Sequence, residues 1–415
     1  MKTLIILKGL VKRDKLDWVK NQGLELFFLD YSAIRNLYSA PELLTPNKNI
    51  LNFSYSDTVY RRFIEILSLR MSKGCLIVLD VENLTSNIIE ILAEIYGYKI
   101  FWVVNQIPKD YLKEPGKYID PMFPQKSKLE YKKDVLNYNN SLARISMSDR
   151  ITTYAQVEKY WDNAKAQYNV STLESNFGKI IHVSDIHSNF DLFKSIESQV
   201  KSSDLSIIYG DYIDGPCAGG SRSMLDYALR DRSCNIVWLE GNHEARIRKY
   251  LGAKFFENIG KSFISDTLRA GLVPDFINIT AQEFSDLTPE EGLDYIRRMN
   301  KKLKLFHIIS IPSENTEYIC THSGFRYLDQ LSPKFIGNVV YGSRNMEKVD
   351  RTFSDKVGKS EGKWSLHAHC KYPEWQVSKF PKVMNIDPLD DHEIVVMTQT
   401  TEGWKVCKIR NEELE

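Results

Sequence analysis

The sequence lacks three features that would assign it to a specialised class of protein. No apolar run approaches the roughly 20 residues of a transmembrane helix, and the start MKTLIILKGL has no small-residue cleavage site, so we expect neither a membrane span nor a signal peptide. The net charge of +1 excludes wholesale wrapping of nucleic acid, although it leaves room for a local basic groove. The six cysteines form no CxxC pair, which is typical of reduced thiols in the cytoplasm.

The chain has the length and composition of two soluble domains. It contains 415 residues, of which 43% are hydrophobic and 26% are charged. Short apolar runs alternate with helical patterns, so both domains are expected to be of the α/β class. A change of pattern in the stretch STLESNFG places the boundary near residues 170–178, which gives domains at 1–172 and 178–410.

In the first domain, apolar runs at 4–7, 24–30, 75–81 and 99–104 predict buried strands of a parallel sheet. A helix is predicted over 85–97 and another over 150–168. The stretch 106–140 is rich in proline, lysine and tyrosine, which predicts a loop or flap. In the second domain, strands are predicted at 179–184, 205–210, 235–239, 317–321, 382–387 and 393–398.

Five short stretches of the second domain place metal-ligand side chains directly after predicted strands. They are SDIHSN (184–189), YGDYIDG (209–215), LEGNHEAR (239–246), CTHSG (320–324) and LHAHC (366–370). Loops at the C-terminal ends of strands are where open α/β sheets collect ligands, and five of the eight histidines fall in these stretches. Asp, His and Asn without thiolates suit Mn²⁺, Fe or Zn²⁺ in a catalytic site better than a closed structural zinc site.

The order DxH, GDxxD, GNHE, a late HSG and HxH resembles the calcineurin-like, two-metal phosphoesterase superfamily. The forms GNHE, THSG and HAHC followed by NID look nearest to its phosphoprotein-phosphatase-type branch. This branch includes the phosphatase domain of bacterial polynucleotide kinase-phosphatases and the diadenosine tetraphosphatases. The resemblance covers about residues 178 to 400 and implies two packed β-sheets flanked by helices, with two divalent metal ions. Manganese is expected, and Fe, Zn²⁺ or Ni²⁺ remain open.

The resemblance also implies a role for each residue of the motifs. Asp185 and His187 would hold the first metal, and Asp211 would bridge the two. The second metal would be completed by Asn242, His322 and a histidine of HAHC. The NID that follows at 385–387 favours His369, although His367 stays a candidate. His243, held by Asp214, would donate a proton to the leaving oxygen.

The sequence departs from the family pattern at one position. The family usually has arginine after the second aspartate of GDxxD, where it grips phosphate, whereas this chain has Gly215. Phosphate recognition would then fall to another cation, and Arg246 and Arg344 are the candidates. Each of them can equally be a surface or ion-pair arginine.

The first domain resembles the polynucleotide-kinase family, with a failed P-loop. The stretches CLIVLDVENLT and FFLDYSAIR match that family's strand-end patterns and put Asp30 where a general base would lie. In LIILKGLVKRDKL, however, Gly9 and Lys15 survive from G-x-x-x-x-G-K-[ST], while Asp14 replaces the second glycine and Leu16 the hydroxyl residue. We therefore expect a degenerate kinase domain that keeps the fold without the transfer activity, and we assign no nucleotide-binding residue to it. The cations Lys12, Arg13 and Lys15 are candidates for binding nucleic-acid ends, or form only a solvated basic turn.

Three functions fit these observations. The first is an RNA or polynucleotide end-processing phosphatase that acts on 2′- or 3′-phosphates or 2′,3′-cyclic ends, with an RNA ligase as the partner that the resemblance suggests. The second is a protein Ser/Thr phosphatase or a dinucleoside tetraphosphate hydrolase of the same branch. The third is a binding or regulatory protein with vestigial sites, which the intact ligand set disfavours. We expect the first, in the cytoplasm.

Overall fold

The computed structural model describes most of the chain as two compact units, Lys2–Tyr160 and Trp161–Glu415. The described residues are 2–37, 40–45, 48–52, 56–81, 87–118, 127–172, 177–215, 219–230, 235–270, 274–341, 345–358, 362–369, 379–387, 393–400 and 403–410. No helix among them is long and apolar enough to cross a membrane. Of the cysteines, Cys75, Cys320 and Cys407 are described, and all three are free thiols.

The first unit is an α/β layer with a small separate hairpin. Its strands are β1 Lys2–Lys8, β2 Phe28–Asp30, β3 Ala40–Thr45, β4 Lys48–Asn52, β5 Ile77–Asp80, β6 Tyr98–Val104 and β7 Arg150–Ile151. Its helices are α1 Lys12–Asn21, α2 Tyr31–Leu37, α3 Ser56–Ser72, α4 Asn87–Tyr96, α5 Lys128–Leu142 and α6 Tyr154–Tyr168, of which α6 runs on past the division between the units.

The main sheet of this unit is entirely parallel, in the order β2-β5-β1-β6-β7. Every residue of β1 is buried because helices cover both faces of a sheet of this kind. From β1 the chain crosses to the edge strand β2, returns to β5 beside β1, and then passes to β6 and β7 on the other side. The connections that leave β1 and β6 therefore run in opposite directions, so the sheet reverses its order beside β1. The strands β3 and β4 pair only with each other.

The second unit contains ten strands and nine helices among the described residues. The strands are β8 Val170–Thr172, β9 Ile180–Val183, β10 Leu205–Ile208, β11 Ile236–Trp238, β12 Phe306–Ile311, β13 Thr316–Thr321, β14 Lys363–His367, β15 Val383–Asn385, β16 Glu393–Thr400 and β17 Gly403–Arg410. Besides the end of α6, the helices are α7 Phe190–Ser198, α8 Ser221–Arg230, α9 Asn242–Asn258, α10 Ser262–Arg269, α11 Pro274–Glu283, α12 Pro289–Lys302, α13 Asn338–Tyr341 and α14 Met346–Phe353.

These strands form two five-stranded sheets, in the orders β11-β10-β9-β16-β17 and β15-β14-β13-β12-β8. One apolar core joins them, with Ile207 and Val395 from the first sheet and Ile309, Cys320 and Leu366 from the second. A second cluster, which includes Phe306 and Ile319, covers the other face of the second sheet. The two packed sheets expected from the sequence are therefore present, and the C-terminal ends of β9, β10, β11, β13 and β14 carry the five motifs.

Several elements differ from the sequence predictions. The expected flap at 106–140 contains the helix α5, which begins with a capping box between Ser127 and Glu130. The strand expected at 24–30 is a short 3₁₀ turn followed by β2. The two units divide between Tyr160 and Trp161, earlier than the predicted boundary, because β8 pairs with β12 of the second unit.

Candidate metal centre

Two overlapping groups of metal-ligand side chains lie at the C-terminal ends of the strands. The first contains Asp185, His187 and Asp211, and the second contains Asp211, His322 and His369. Within each group the candidate ligand atoms lie within 4.8 Å of one another. Asp211 belongs to both groups, so its carboxylate occupies the position of a bridge between two cations. The structure thus brings together five of the seven predicted ligands in the expected division.

Asn242 completes the second group. Its Oδ1 lies 3.0 Å from Nε2 of His322, which is in turn 2.9 Å from Nδ1 of His369 and 3.3 Å from Oδ2 of Asp211. Asn242 is the first residue of α9, and Gly241 before it has extended backbone. The end of β11 and the start of α9 thereby present the amide oxygen to the two histidines.

The donor set fits a cation. Nδ1 of His322 lies 2.6 Å from the carbonyl oxygen of Tyr209, which can only accept a hydrogen bond, so Nδ1 carries the proton and donates it. In the neutral ring Nε2 therefore presents a lone pair, and it faces the oxygens of Asn242 and Asp211. These lone pairs repel one another unless a positive charge lies among them.

The carboxylates give the same indication. Asp185 is buried, and its Oδ1 has no hydrogen-bond partner among the described residues. Burial, together with the charges of Asp387 and Asp211, raises the pKa of Asp185 well above its usual value. Burial alone would also raise the pKa of Asp211, but the imidazoles of His243 and His322 outweigh it and hold that pKa well below the usual range. Divalent cations would compensate this crowded negative charge.

His367 is not among the candidate ligands of the described residues. It is fully buried, its Nε2 lies 3.0 Å from Oδ1 of Asp350 on α14, and its Nδ1 lies 3.0 Å from the carbonyl oxygen of Ala368. Burial acts to lower the pKa of His367, but the Asp350 carboxylate raises it above the ordinary histidine value. Because both ring nitrogens of His367 contact other groups, the geometry favours His369 over His367 as the candidate ligand from HAHC.

The predicted acid pair is assembled beside the ligands. Nδ1 of His243 lies 2.9 Å from Oδ2 of Asp214, and Nε2 lies 3.5 Å from Oδ2 of Asp211. Burial acts to lower the pKa of His243, whereas Asp211 and Asp214 act in the opposite direction and leave it raised. The imidazolium form is thereby favoured, with its Nε2–H directed to the side where the ligands converge.

Of the two predicted phosphate-binding arginines, only Arg246 can be assessed. It is half-buried, one helical turn after Asn242, and its charge acts on His243. Arg344 lies outside the described residues.

Gly215 stands where the family pattern has arginine, and the backbone leaves no room for a side chain there. A Cβ built on Gly215 would lie 1.7 Å from the carbonyl oxygen of His187. The N–H of Gly215 donates to Oγ of Ser188 at 3.2 Å, which holds the two loops together. Glycine at position 215 therefore allows the backbone after Asp214 to pack directly against the turn at His187.

The sequence reasoning missed Glu244 as a structural centre of the site. This fully buried carboxylate accepts hydrogen bonds from the backbone N–H groups of Gly241 (2.8 Å), Asp211 (2.9 Å) and Tyr212 (3.1 Å). It therefore ties the loop after β10 to the start of α9. Burial, with a further contribution from Asp211, raises the pKa of Glu244 to about 8. Its position three residues after Gly241 is that of the acidic partner in a capping box, which was a usable indication.

The N-terminal turn differs from a phosphate-binding loop. Only Gly9, Leu10 and Val11 separate β1 from α1, and Val11 packs under Tyr111 and Tyr131. Lys15 lies inside the helix, almost fully buried, with its Nζ 2.6 Å from Oδ1 of Asp80. The lysine that the loop pattern would direct to a phosphate is therefore held in an internal ion pair.

The two other candidate cations of this turn differ in their surroundings. Lys12 contacts Ser32 and lies 3.2 Å from Oδ2 of Asp30. Arg13 is exposed, with its Nε 3.6 Å from Oδ2 of Asp17. Of the cations singled out in the sequence, Arg13 is therefore the most accessible to a polyanion.

Comparison with known proteins agrees with this site. The Calcineurin-like phosphoesterase family matches residues 178–390, just over half of the chain. No curated protein is significantly similar to the chain.

Solved structures also resemble it. One is a crystal structure of a diadenosine tetraphosphatase, so named provisionally, with 18% identity, a TM-score of 0.35, and coverage of 58% of this chain and 97% of that one. Another is a protein serine/threonine phosphatase from Saccharomyces cerevisiae with similarity to human phosphatase PP5. It has 13% identity, a TM-score of 0.39, and coverage of 68% of this chain and 96% of that one. Both TM-scores are too low to assign a shared substrate.

Proposed function

This chain belongs to the calcineurin-like phosphoesterase family and is a metal-dependent phosphoester hydrolase, and we propose that it acts on polynucleotide ends. The substrates would be RNA 2′- or 3′-phosphates or 2′,3′-cyclic phosphates, and the role would be end healing. The family uses a binuclear divalent metal centre, and manganese is the ion that we propose for this protein.

The observation that carries the choice of substrate is the N-terminal unit. Its parallel sheet reverses order beside β1, at the edge where α/β folds bind phosphates and nucleotides. This arrangement is compatible with the polynucleotide-kinase resemblance of CLIVLDVENLT, part of which lies outside the described residues. Lys15 of this kinase-like unit is held in an internal ion pair, so the unit would serve the phosphoesterase by holding a polynucleotide strand. Arg13 supplies a positive charge for binding that strand.

The residues of the second unit support hydrolysis as follows. Asp185, His187 and Asp211 would hold one cation, and Asp211, Asn242, His322 and His369 would hold the other. Cations at these positions would polarise the phosphoryl group and offset the charge that develops on its oxygens. A water molecule bonds to phosphorus and loses a proton while the bond from phosphorus to the leaving oxygen breaks. His243 gives its Nε2 proton to that leaving oxygen, and Asp214 keeps the ring oriented through Nδ1.

The proposal is tested by offering four substrates side by side to the purified full-length protein with Mn²⁺. They are an RNA 3′-phosphate, an RNA 2′,3′-cyclic phosphate, a phosphopeptide and diadenosine tetraphosphate. We expect a clear preference for the RNA ends. His243→Ala should lose about 10²-fold or more, in line with the contribution of general acids, and Asp211→Asn should also lose activity because it alters the ligand that both groups share.

A matched control is Asp204→Asn. This buried carboxylate lies 3.4 Å from Nζ of Lys179 and is not part of the candidate ligand groups, so its loss should leave the preference for RNA ends unchanged. Cleavage of the peptide or the dinucleotide alone would overturn the polynucleotide proposal in favour of a protein phosphatase or a dinucleotide hydrolase.

A further inference from the structure

Three buried hydroxyl groups form a connected chain behind the acid pair. Thr280 Oγ1 donates to Oδ1 of Asp214 at 2.8 Å and lies 3.1 Å from Oγ of Ser221. Ser221 Oγ accepts the backbone N–H of Asp214 at 2.9 Å and lies 2.7 Å from Oγ of Ser188. All three side chains are at most 3% exposed. Asp214 is therefore held at its carboxylate and at its backbone by one network.

The donors and acceptors of this network have one consistent order. Thr280 has a single hydroxyl proton, and it goes to the carboxylate, so the proton between Thr280 and Ser221 comes from Ser221. Ser221 has then used its proton, and Ser188 must supply the one between them. Ser188 in turn accepts the N–H of Gly215. The chain runs from Ser188 through Ser221 and Thr280 and ends on Asp214, and bonds in such a chain strengthen one another.

This order has a consequence for the other carboxylate oxygen. With Oδ1 occupied by Thr280, Oδ2 of Asp214 is left to accept from Nδ1 of His243. Asp214 also has a φ of +64°, in the left-handed region that residues with side chains rarely adopt, and the bond to Ser221 helps to keep it there. The direction of the imidazole thus depends on hydroxyl groups that are not part of the candidate ligand groups.

We propose that Thr280, acting through Asp214, is a positioning residue for proton donation by His243. Thr280 lies on α11, far in sequence from the five strand-end motifs. The inference rests on the acid role given to the His243–Asp214 pair under the proposed function. Its hydroxyl fixes the carboxylate so that Nδ1–H of His243 stays bonded while Nε2 delivers a proton to the leaving oxygen. After delivery the ring is neutral, with its proton still on Nδ1.

The test compares aryl phosphates whose leaving groups differ in their need for a proton. Phenyl phosphate has a basic leaving oxygen, whereas 2,4-dinitrophenyl phosphate leaves readily without protonation. In Thr280→Val, which keeps the shape of the side chain, kcat should fall about 10-fold or more for phenyl phosphate and less than about 2-fold for the dinitrophenyl ester. Thr280→Ser restores the hydroxyl and should recover most of the activity on phenyl phosphate.

A control and a second readout complete the experiment. Thr267→Val on the preceding helix α10 removes a hydroxyl whose hydrogen bond within the described part of the chain goes to the backbone oxygen of Phe263, and it should leave the ratio of the two rates unchanged. In protein loaded with diamagnetic Zn²⁺, the downfield proton resonance of the bond from His243 Nδ1 to Asp214 should shift in Thr280→Val and stay in place in Thr267→Val.

An equal loss for both esters in Thr280→Val, no loss for either, or a resonance that does not move would overturn the positioning role. Aryl phosphates report the chemical step whichever phosphoester is the natural substrate. A failure of this proposal therefore leaves the polynucleotide proposal standing, and a preference for peptide or dinucleotide leaves this one standing.

Discussion

At the scale of single residues, several residues of the candidate metal centre have a positive φ, which residues with side chains rarely adopt. Seven described residues other than glycine have positive φ, and five of them are His187, Ser188, Asp211, Asp214 and His369. Each such conformation costs on the order of 1–3 kcal/mol and persists only where the surroundings enforce it. Strain concentrated in this way places side chains at angles that regular strands and helices cannot supply.

The two histidines of HAHC allow a prediction at this scale. His369→Gln should reduce metal content and activity, because it removes a ring from the ligand group around Asp211. His367→Gln should retain the metal, because that ring bonds to Asp350 and the glutamine amide can donate to the same carboxylate. The measurement is metal content after dialysis, together with the melting temperature.

Loss of a group that hydrogen-bonds to a metal ligand typically lowers metal affinity by about 10–100-fold. Because His369 is itself a candidate ligand, His369→Gln should lower the affinity for at least one cation by more than this. Loss of metal in His367→Gln with a normal melting temperature would show that the ring is a ligand after all.

The identity of the site residues was largely predictable, whereas their partners were not. Asp185, Asp211 and His322 follow strands, and the C-terminal ends of strands meet at one edge of a sheet. The choice between His367 and His369 depended on Asp350, which a helix brings near from elsewhere in the sequence. Nothing in the residue pattern indicates such a pairing.

At the scale of elements, two buried histidines of the second unit lie on strands outside the candidate metal centre, one on β9 and one on β12. His182 on β9 has its Nδ1 3.0 Å from the hydroxyl of Tyr209, and His307 on β12 shares a hydrogen bond of 2.9 Å with Ser171. Burial lowers the pKa of His182 to about 3 and that of His307 to about 4. Both rings are therefore neutral in the folded protein at pH 7.

These two histidines predict a loss of stability on acidification. The unfolded chain takes up their protons near pH 6.5, whereas the folded protein does not, so the stability present above pH 6.5 declines as the pH falls toward about 4 and then about 3. Each histidine contributes about 1.4 kcal/mol per pH unit. In His307→Gln, the free energy of unfolding should fall by about 2 kcal/mol less than in the unmodified protein between pH 6.5 and 5.

Urea unfolding followed by tryptophan fluorescence measures this difference, since Trp404 lies against His182 with ring centroids 5.4 Å apart. Ser171→Ala is the control, because it removes the hydrogen-bond partner of His307 but keeps the titrating ring. It should lower stability by a similar amount at both pH values. Parallel pH curves for the unmodified protein and His307→Gln would contradict the prediction.

Sequence patterns located most of these elements, and the exceptions have physical causes. The helix α5 was predicted as a flap because its turns mix lysine, asparagine and tyrosine, and its leucines Leu129 and Leu136 are exposed instead of forming a buried stripe. The strand β12 begins a few residues after α12 ends, and the sequence analysis did not predict a strand from its apolar run FHIISI. Short runs of this kind cannot be separated from buried helix by periodicity alone.

At the scale of the whole molecule, the N-terminal unit contains a buried ion pair between α1, which follows β1, and the end of β5. Lys15 and Asp80 are 4% and 1% exposed. Removing one member of such a pair leaves an uncompensated buried charge, which costs about 3–5 kcal/mol, whereas replacing both with apolar residues is often neutral. Lys15→Met should therefore destabilise the unit, and Lys15→Met combined with Asp80→Leu should recover most of the loss.

Differential scanning calorimetry of the full-length protein measures this recovery, and it also tests nucleotide binding. Relative to Mg²⁺ alone, addition of ATP with Mg²⁺ should leave every transition of the unmodified protein where it was, since a nucleotide bound to the folded state would raise the transition temperature. A rise that disappears in Lys15→Met would show that the turn still opens to a nucleotide.

The fit between Gly215 and the carbonyl of His187 also sets a limit on redesign. An engineer who wished to introduce an arginine at position 215 could not do so by a single codon change, because even the first carbon of the new side chain would overlap the turn that presents His187. A useful library would vary the two loops together and select first for retained metal. A side chain can therefore enter position 215 only if the turn at His187 moves together with the loop that carries Gly215.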